Sequence, residues 1–65
     1  MLKKIIVQKN STINKAIQIL DKFYDLKIVL VVDHDSKLIG TITDGDLRRG
    51  LLKGFGINDK VEKIM

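Results

Sequence analysis

The chain has 65 residues, a length that allows one small domain and leaves little apolar area for a core of its own. It contains no cysteine and one histidine, so disulfides and a structural zinc site are excluded, and association with a partner is the expected source of extra stability. With 45% hydrophobic and 31% charged residues, no proline and a net charge of +4, the composition excludes a disordered chain.

The sequence contains no apolar run long enough to span a membrane. The longest run, Ile28 to Val32, is far shorter than the roughly 18 residues that a span needs. Residues 1–4 lack the apolar region and cleavage site of a secretory signal peptide. We therefore expect a cytoplasmic protein whose basic charge lies mainly on a solvated, lysine-rich surface.

The N-terminal part predicts a strand followed by a helix. Lys3 to Val7 is a short run that ends in three β-branched residues, and polar residues typical of a turn follow it. Thr12 or Ser11 is placed to cap a helix, because its hydroxyl can accept a backbone N–H of the first turn. The apolar residues that recur at helical spacing predict one buried face: Ile13, Ala16, Ile17, Leu20, Phe23 and Tyr24.

The middle of the chain predicts an antiparallel hairpin. Lys27 to Val32 is a β-branched run without alternation, a pattern typical of the central strand of a sheet. Asp33 to Ser36 have turn chemistry, and Lys37 to Thr43 predicts the returning strand.

A second helix is predicted to begin directly after this strand. Thr43 is in the N-cap position and Asp46 stands three residues later, which is the spacing of a capping box. Gly54 is predicted to end the helix in a left-handed conformation. The apolar side of the helix is predicted from three leucines: Leu47, Leu51 and Leu52.

The last residues predict a further short helix that contains Val61, Ile64 and Met65, with Asn58 or Asp59 as its cap. The order of elements is strand, helix, strand, strand and helix, which is an α+β fold. We expect residues 1–65 to form a single domain that is a fragment of a longer protein.

Gly40 to Gly50 contains the densest set of polar groups, at the point where a strand leads into a helix. Free backbone N–H groups and the helix dipole favour phosphate at such a place. Thr43 can donate its hydroxyl, Asp46 can accept two ribose hydroxyls, and Arg48 or Arg49 can pair with phosphate oxygens. Two interpretations stay open at this point: a nucleotide site, or a helix cap with solvated arginines.

Other ligand chemistries fail on residue type. A P-loop needs a lysine where Asp46 stands. A calcium loop that begins at Asp33 has Lys37 at a ligand position and Leu38 in place of the glycine. Asp44 and Asp46 stand two residues apart at a helix start and point in different directions, so we expect no metal site there.

Catalysis and nucleic-acid binding find little support. There is no cysteine, and His34 lies in a predicted turn beside Ser36 with no group to orient it, so we expect no catalytic residue. The basic charge keeps a nucleic-acid-binding mini-domain as an outside alternative. The chain has only three aromatic residues, however, and Phe23 and Tyr24 belong to the predicted apolar face.

The stretch Gly40 to Asp46 resembles the ligand signature of the CBS (cystathionine-β-synthase) domain family, Gly-h-x-Thr/Ser-x-x-Asp, in which h is apolar. It matches at Gly40, Thr43 and Asp46, and Thr41 stands in place of the apolar residue. The family motif has the order strand, helix, strand, strand, helix, which is the order predicted here.

The likeness covers nearly the whole chain. The string LIGTITDGDLRRGLLKG, residues 38–54, is similar to the first CBS motif of bacterial sugar-phosphate nucleotidyltransferases. Leu30 stands where many members of the family have a proline, on the side of the site that the family uses for adenine.

The resemblance implies a non-catalytic regulatory module in which two motifs pack sheet to sheet and bind an adenosine nucleotide, AMP, ADP or ATP, between them. The partner that it implies is a second CBS motif, and a second copy of this chain can supply one in a homodimer. A purely structural dimerisation module without a ligand is the alternative.

The resemblance also implies roles for individual residues. Thr43 is expected to contact phosphate or ribose, and Asp46 the ribose hydroxyls. Arg48 is placed as a phosphate clamp on its charge alone. The backbone expected to contact the base belongs to three residues: Ile28, Val29 and Leu30.

Overall fold

The computed structural model describes residues 5–23 and 25–65. Three strands form one sheet, in which the second strand is central, parallel to the first and antiparallel to the third. The predicted α+β fold, with the second strand in the centre, is confirmed. The elements in chain order are β1 (Ile6–Gln8), α1 (Ile13–Lys22), β2 (Ile28–Val32), β3 (Leu38–Thr43), α2 (Asp44–Leu52) and a 3₁₀ helix (Val61–Lys63).

The hairpin between β2 and β3 is closed by the side chain of Asp33. Its Oδ1 accepts the backbone N–H of Asp35 at 2.9 Å and that of Lys37 at 3.0 Å. Ser36 has a φ of 63°, a left-handed conformation that is common in tight turns. The predicted antiparallel hairpin is therefore confirmed, and its turn is fixed by local hydrogen bonds.

Helix α1 begins as predicted. Thr12 is its N-cap, and the Thr12 hydroxyl accepts the backbone N–H of Lys15 at 3.3 Å. Phe23 is the C-cap residue, and its backbone N–H donates to the carbonyl of Ile19. Tyr24, which the periodicity assigned to the same face, lies outside the described residues, as do Lys3 and Lys4 of the predicted first strand.

The buried face of α1 includes Ile19, a residue that the periodicity did not predict. Ile19 is 8% exposed and belongs to the core, whereas Ile17 and Leu20 are only partly buried. Ile13, Ala16 and Ile19 follow one another at a spacing of three residues, and they form the most buried face of α1. Ile17 lies at the side of this face.

The core lies between the two helices and one face of the sheet. Residues of the three strands that share this face are fully or almost fully buried, because successive side chains of a strand point to opposite faces. The sheet residues of the core are Val7, Val29, Val31 and Ile42, and the helical ones are Ile13, Ala16, Ile19 and Leu47.

The predicted apolar side of α2 is only partly correct. Leu47 is buried, but Leu51 is 47% and Leu52 is 81% exposed. Gly50 is buried in their place, because α2 contacts the C-terminal segment at this glycine. Gly54 ends the helix with a φ of +100°, as predicted.

The C-terminal segment is bound to the start of α1 by backbone hydrogen bonds. The N–H of Ile13 donates to the carbonyl of Asp59 at 2.8 Å, and the N–H of Val61 donates to the carbonyl of Ser11 at 2.8 Å. Val61 is completely buried. Residues 59–61 therefore pack against the start of α1, and Val61 is part of the core.

The caps predicted for this segment are wrong. Lys60 is the N-cap residue of the 3₁₀ helix and makes no side-chain cap. The carboxylate of Asp59 instead accepts the backbone N–H of Gly56 at 2.7 Å, because the chain turns before the helix starts. Met65 is 44% exposed and Ile64 is partly buried.

In residues 5–23 and 25–65, no helix has the length and apolarity that a membrane crossing requires.

Candidate functional site

Thr43 and Asp46 form a complete capping box at the start of α2. The backbone N–H of Thr43 donates to Asp46 Oδ2 at 2.9 Å, and the Thr43 hydroxyl donates to the same oxygen at 3.1 Å. In return, the backbone N–H of Asp46 donates to Thr43 Oγ1 at 3.3 Å. The predicted cap is confirmed, and it holds the carboxylate in one position at the end of β3.

The second carboxylate oxygen of Asp46 faces an arginine. Arg49 Nη2 donates to Asp46 Oδ1 at 2.7 Å. The backbone N–H of Thr43, with smaller contributions from Arg49 and the Thr43 hydroxyl, lowers the pKa of Asp46 against the opposing effect of partial burial. Asp46 is therefore an anion near neutral pH and can accept hydrogen bonds only.

A cavity of about 250 Å³ lies beside Asp46, between α2 and the C-terminal segment. Three basic side chains line it: Arg49 and Lys53 from α2 and its end, and Lys63 from the 3₁₀ helix. Phe55 and Met65 add apolar surface. We call this feature the cationic cavity, since its positive groups outnumber the one carboxylate and favour an anionic ligand.

Arg48, the residue placed as a phosphate clamp, lies elsewhere on α2. Its Nη2 lies 3.4 Å from Asp44 Oδ2, and its side chain is 73% exposed. It lines a shallow groove between the helices with Ile17 and Leu51. The structure therefore brings Arg49, and not Arg48, together with Asp46.

The three residues expected near the base occupy two different environments. Ile28 pairs with Thr43 in the register of β2 and β3, and Leu30 pairs with Thr41. Both are only partly buried, whereas the side chain of Val29 is completely buried in the core. The backbone of Ile28 consequently lies next to Thr43, and the side chain of Val29 is unavailable to a ligand.

The sheet has a second face that the helices do not cover. Its residues alternate with those of the core and are at least partly exposed, whereas Val32 at the end of β2 is buried. We call it the open face and define it by Ile6, Ile28, Leu30, Thr41 and Thr43. The open face ends at the capping box, so an apolar surface and a fixed carboxylate meet at one edge.

His34 and the acidic residues form no further site. His34 Nε2 lies 3.6 Å from Asp35 Oδ2, and the His34 side chain is 84% exposed in the hairpin turn. In the part of the chain that the structure describes, no group of three or more His, Cys, Asp or Glu residues is placed to hold a metal ion.

Two residues that line the cationic cavity, Lys53 and Lys63, were not predicted from the sequence. Arg49 was already a candidate, and its spacing of three residues from Asp46 is a recognisable signal for a helical pair. Lys53 carries no such signal. Lys63 reaches the cavity only because the C-terminal segment folds back against α2.

The comparisons with known proteins concern the family and the fold of the chain. Residues 1–53 match the family model of the CBS domain. No curated protein sequence matches the chain.

Solved structures of similar fold are about twice as long as this chain. An uncharacterized conserved protein from Pyrococcus horikoshii has a TM-score of 0.80 and 24% identity, covering 100% of this chain and 49% of its own. A CBS-domain containing protein from Agrobacterium tumefaciens has a TM-score of 0.81 and 22% identity, over 94% of this chain and 46% of its own.

A CBS domain protein from Pyrobaculum aerophilum, complexed with AMP, has a TM-score of 0.79 and 13% identity, over 92% of this chain and 47% of its own. These likenesses show the fold. The family match covers most of the chain, including the capping box formed by Thr43 and Asp46. The chain belongs to the CBS domain family.

Proposed function

We propose that this chain is a regulatory, non-catalytic CBS motif that binds an adenosine nucleotide where its open face meets a second motif. The observation that carries the proposal is the position of Asp46. Its carboxylate is ionised and is held by Thr43, which pairs with Ile28 at the edge of the open face. An ionised carboxylate in a fixed position is the group that accepts hydrogen bonds from a ribose diol.

Residues near Asp46 are expected to contact the ribose, the phosphate and the base of a nucleotide. Thr43, the expected contact for ribose or phosphate, donates its hydroxyl proton to Asp46 and has one acceptor position left, which a ribose hydroxyl can use. The backbone from Ile28 to Leu30 is the expected contact for the base. A similar solved structure contains AMP. Arg48 stays a predicted phosphate contact on the strength of its charge, although it lies on the side of α2 that faces α1.

A second motif is the proposed partner of the open face. The chain spans about half the length of the solved structures that it matches, which agrees with motifs that work in pairs. Ile6, Ile28 and Leu30 give the open face its apolar character, and a two-fold axis would bring two such faces together. We propose a homodimer of this chain as the simplest form of the pair.

A thermal-shift titration with AMP, ADP and ATP tests the nucleotide proposal. A ligand that binds only the folded chain, at about 100 times its Kd, adds about 2.7 kcal/mol, which raises the Tm of so small a domain by about 10 °C or more. The variant Asp46→Asn keeps an acceptor for the cap but loses a ribose acceptor, so we expect it to abolish the shift.

The control for this test is Asp21→Asn, which removes one exposed carboxylate from α1. It is expected to keep the shift in full. The proposal is overturned if none of the three nucleotides changes the Tm of the unmodified chain.

The alternative function is a structural dimerisation module without a ligand. It is favoured by Leu30, which stands where many family members have proline, and by the cap that already engages Thr43 and Asp46. Sedimentation velocity distinguishes the two functions when it is combined with the titration. A dimer that Leu30→Glu dissociates, with no nucleotide effect on Tm, supports the alternative.

Leu52→Glu is the matched control for sedimentation, because Leu52 is 81% exposed and lies on α2, outside the open face. It should leave the sedimentation coefficient unchanged. A monomeric unmodified chain that is folded would contradict the proposed dimer.

We also propose that the chain comes from a bacterial sugar-phosphate nucleotidyltransferase. The support is the string of residues 38–54, LIGTITDGDLRRGLLKG. The open reading frame that encodes the chain provides the test. A second Gly-x-x-Thr-x-x-Asp followed by a nucleotidyltransferase domain is the expected finding, and any other catalytic domain contradicts it.

A further inference from the structure

The two carboxylate oxygens of Asp46 are unequally occupied. Oδ2 accepts both the backbone N–H and the hydroxyl of Thr43, at 2.9 and 3.1 Å. Oδ1 accepts one hydrogen bond, from Arg49, at 2.7 Å. Since each oxygen has two acceptor positions, Oδ2 is full and Oδ1 has a single position left.

A ribose diol donates two hydrogen bonds, so Asp46 as it stands lacks one acceptor position. Breaking the capping box to supply it would cost helix stability, because the Thr43 contacts start α2. The hydrogen bond from Arg49 to Asp46 is easier to break than those from Thr43. The Arg49 side chain is 66% exposed, and exposed ion pairs three residues apart on a helix contribute little.

The cationic cavity can receive the displaced arginine. Arg49 already lines it, together with Lys53 and Lys63. Lys63 Nζ lies 3.9 Å from Asp59 Oδ1, at the outer limit of an ion pair, and Lys53 makes no ion pair within the described residues. Once Asp46 Oδ1 accepts a ribose hydroxyl, Arg49 loses its hydrogen bond to this oxygen, and Lys63 keeps only its 3.9 Å contact with Asp59.

We propose that Arg49 and ribose compete for Asp46 Oδ1, and that the displaced Arg49 joins Lys53 and Lys63 in binding the terminal phosphates of the nucleotide. This inference rests on the proposed function and deepens it. It names a nucleoside di- or triphosphate as the preferred ligand, because AMP has only the phosphate that is attached to the ribose. The displaced Arg49 gains a new ion pair only if the phosphates of the ligand reach the cationic cavity.

Isothermal titration calorimetry on the full chain tests this with ATP, AMP and adenosine. We expect ATP to bind about tenfold more tightly than AMP in low salt and this ratio to shrink as salt is added, because exposed charges are screened. Arg49→Gln should weaken ATP binding about three- to fivefold, while adenosine binding stays equal or becomes tighter.

Two further variants locate the phosphates. Lys53→Gln combined with Lys63→Gln should weaken ATP binding by about tenfold and leave adenosine binding unchanged, because both charges line the cationic cavity. Lys15→Gln, an exposed lysine of α1, is the charge-matched control and should leave the ATP-to-AMP ratio unchanged.

Comparing Arg48→Gln with Arg49→Gln shows which side of α2 binds the phosphates. A loss of ATP affinity in Arg48→Gln with none in Arg49→Gln overturns the proposal. Equal affinities of the unmodified chain for AMP and ATP also overturn it, while the proposed nucleotide function stands.

Inorganic tripolyphosphate separates the failure of this proposal from the failure of the proposed function. Its binding, weakened in the Lys53 and Lys63 double variant, supports the cationic cavity as the phosphate site. If tripolyphosphate binds but no adenine nucleotide does, both the proposed function and the competition for Asp46 are overturned. If neither binds, the cavity is overturned as well.

Discussion

Thr43 and Asp46 each accept a backbone N–H from the other, at 3.3 and 2.9 Å. The two residues that match the family's ligand signature therefore also start α2. A variant at either position changes the stability of the helix and the chemistry of the site together. Experiments on the site need variants in which these two effects can be separated.

The cap itself is measurable without a ligand. Thr43→Ala removes the hydroxyl that accepts from Asp46 and is expected to lower the free energy of unfolding by about 1 kcal/mol in a urea titration. Thr41→Ala is the matched comparison, since it removes the same side chain from an exposed position of the same strand. Equal losses in both variants would show that strand preference, and not the cap, sets the effect.

The lowered pKa of Asp46 predicts a loss of stability in acid. Because the folded state lowers this pKa below its ordinary value of 3.8, the stabilisation is present above that value and disappears as the pH falls through the folded pKa. Thermal unfolding from pH 6 down to pH 2 should show a smaller loss for Asp46→Asn than for the unmodified chain.

Asp21→Asn, on the exposed side of α1, is the comparison for this acid titration. Its profile should run parallel to that of the unmodified chain. A parallel profile for Asp46→Asn as well would contradict a stabilising role of the ionised carboxylate.

The close contact between α2 and the C-terminal segment predicts an unfavourable effect of a methyl group at Gly50. A Cβ there would lie 2.5 Å from Ile64 Cγ2, so Gly50→Ala should cost about 1 to 3 kcal/mol despite the better helix propensity of alanine. At Gly45 the nearest atom to such a Cβ is the flexible end of Arg49, 3.2 Å away.

Gly45→Ala is therefore expected to be neutral or stabilising in the same urea titration. A double-mutant cycle adds Ile64→Ala to Gly50→Ala, and a favourable coupling energy is expected because the small residue 64 makes room for the methyl group. Additive losses would show that the cost of Gly50→Ala arises elsewhere.

The burial of Val61 predicts that residues 54–65, which follow the family match, are needed for stability. Its side chain is completely buried, so Val61→Ala is expected to lower the free energy of unfolding by about 2 kcal/mol. Leu52→Ala, at an 81% exposed position, should change it by less than about 0.5 kcal/mol. Similar values for both variants would mean that residues 59–61 do not stabilise the core.

Local patterns in the sequence were enough for the elements and for the centre of the site. The Thr12 cap, the Asp33 turn and the capping box each depend on residues within about four positions of one another, and the structure contains all three. Such contacts form from local backbone geometry, so spacing alone predicts them.

The error in the predicted apolar side of α2 concerns packing between segments that are distant in the chain, whereas the error at Asp59 is local. Leu51 and Leu52 have the spacing of an apolar face, but the C-terminal segment packs against Gly50 and leaves them exposed. Asp59 has the residue type of a cap, yet it binds the preceding turn.

By itself, the sequence determined the order of the elements, the central strand and the pairing of Thr43 with Asp46. Only the tertiary structure decided that Arg48 faces the groove between the helices, and that Lys63 lines the cationic cavity together with Arg49. The physical reason is that hydrophobic periodicity and capping act over a few residues. The direction of a helix face and the return of a distant segment depend on how the whole core is filled.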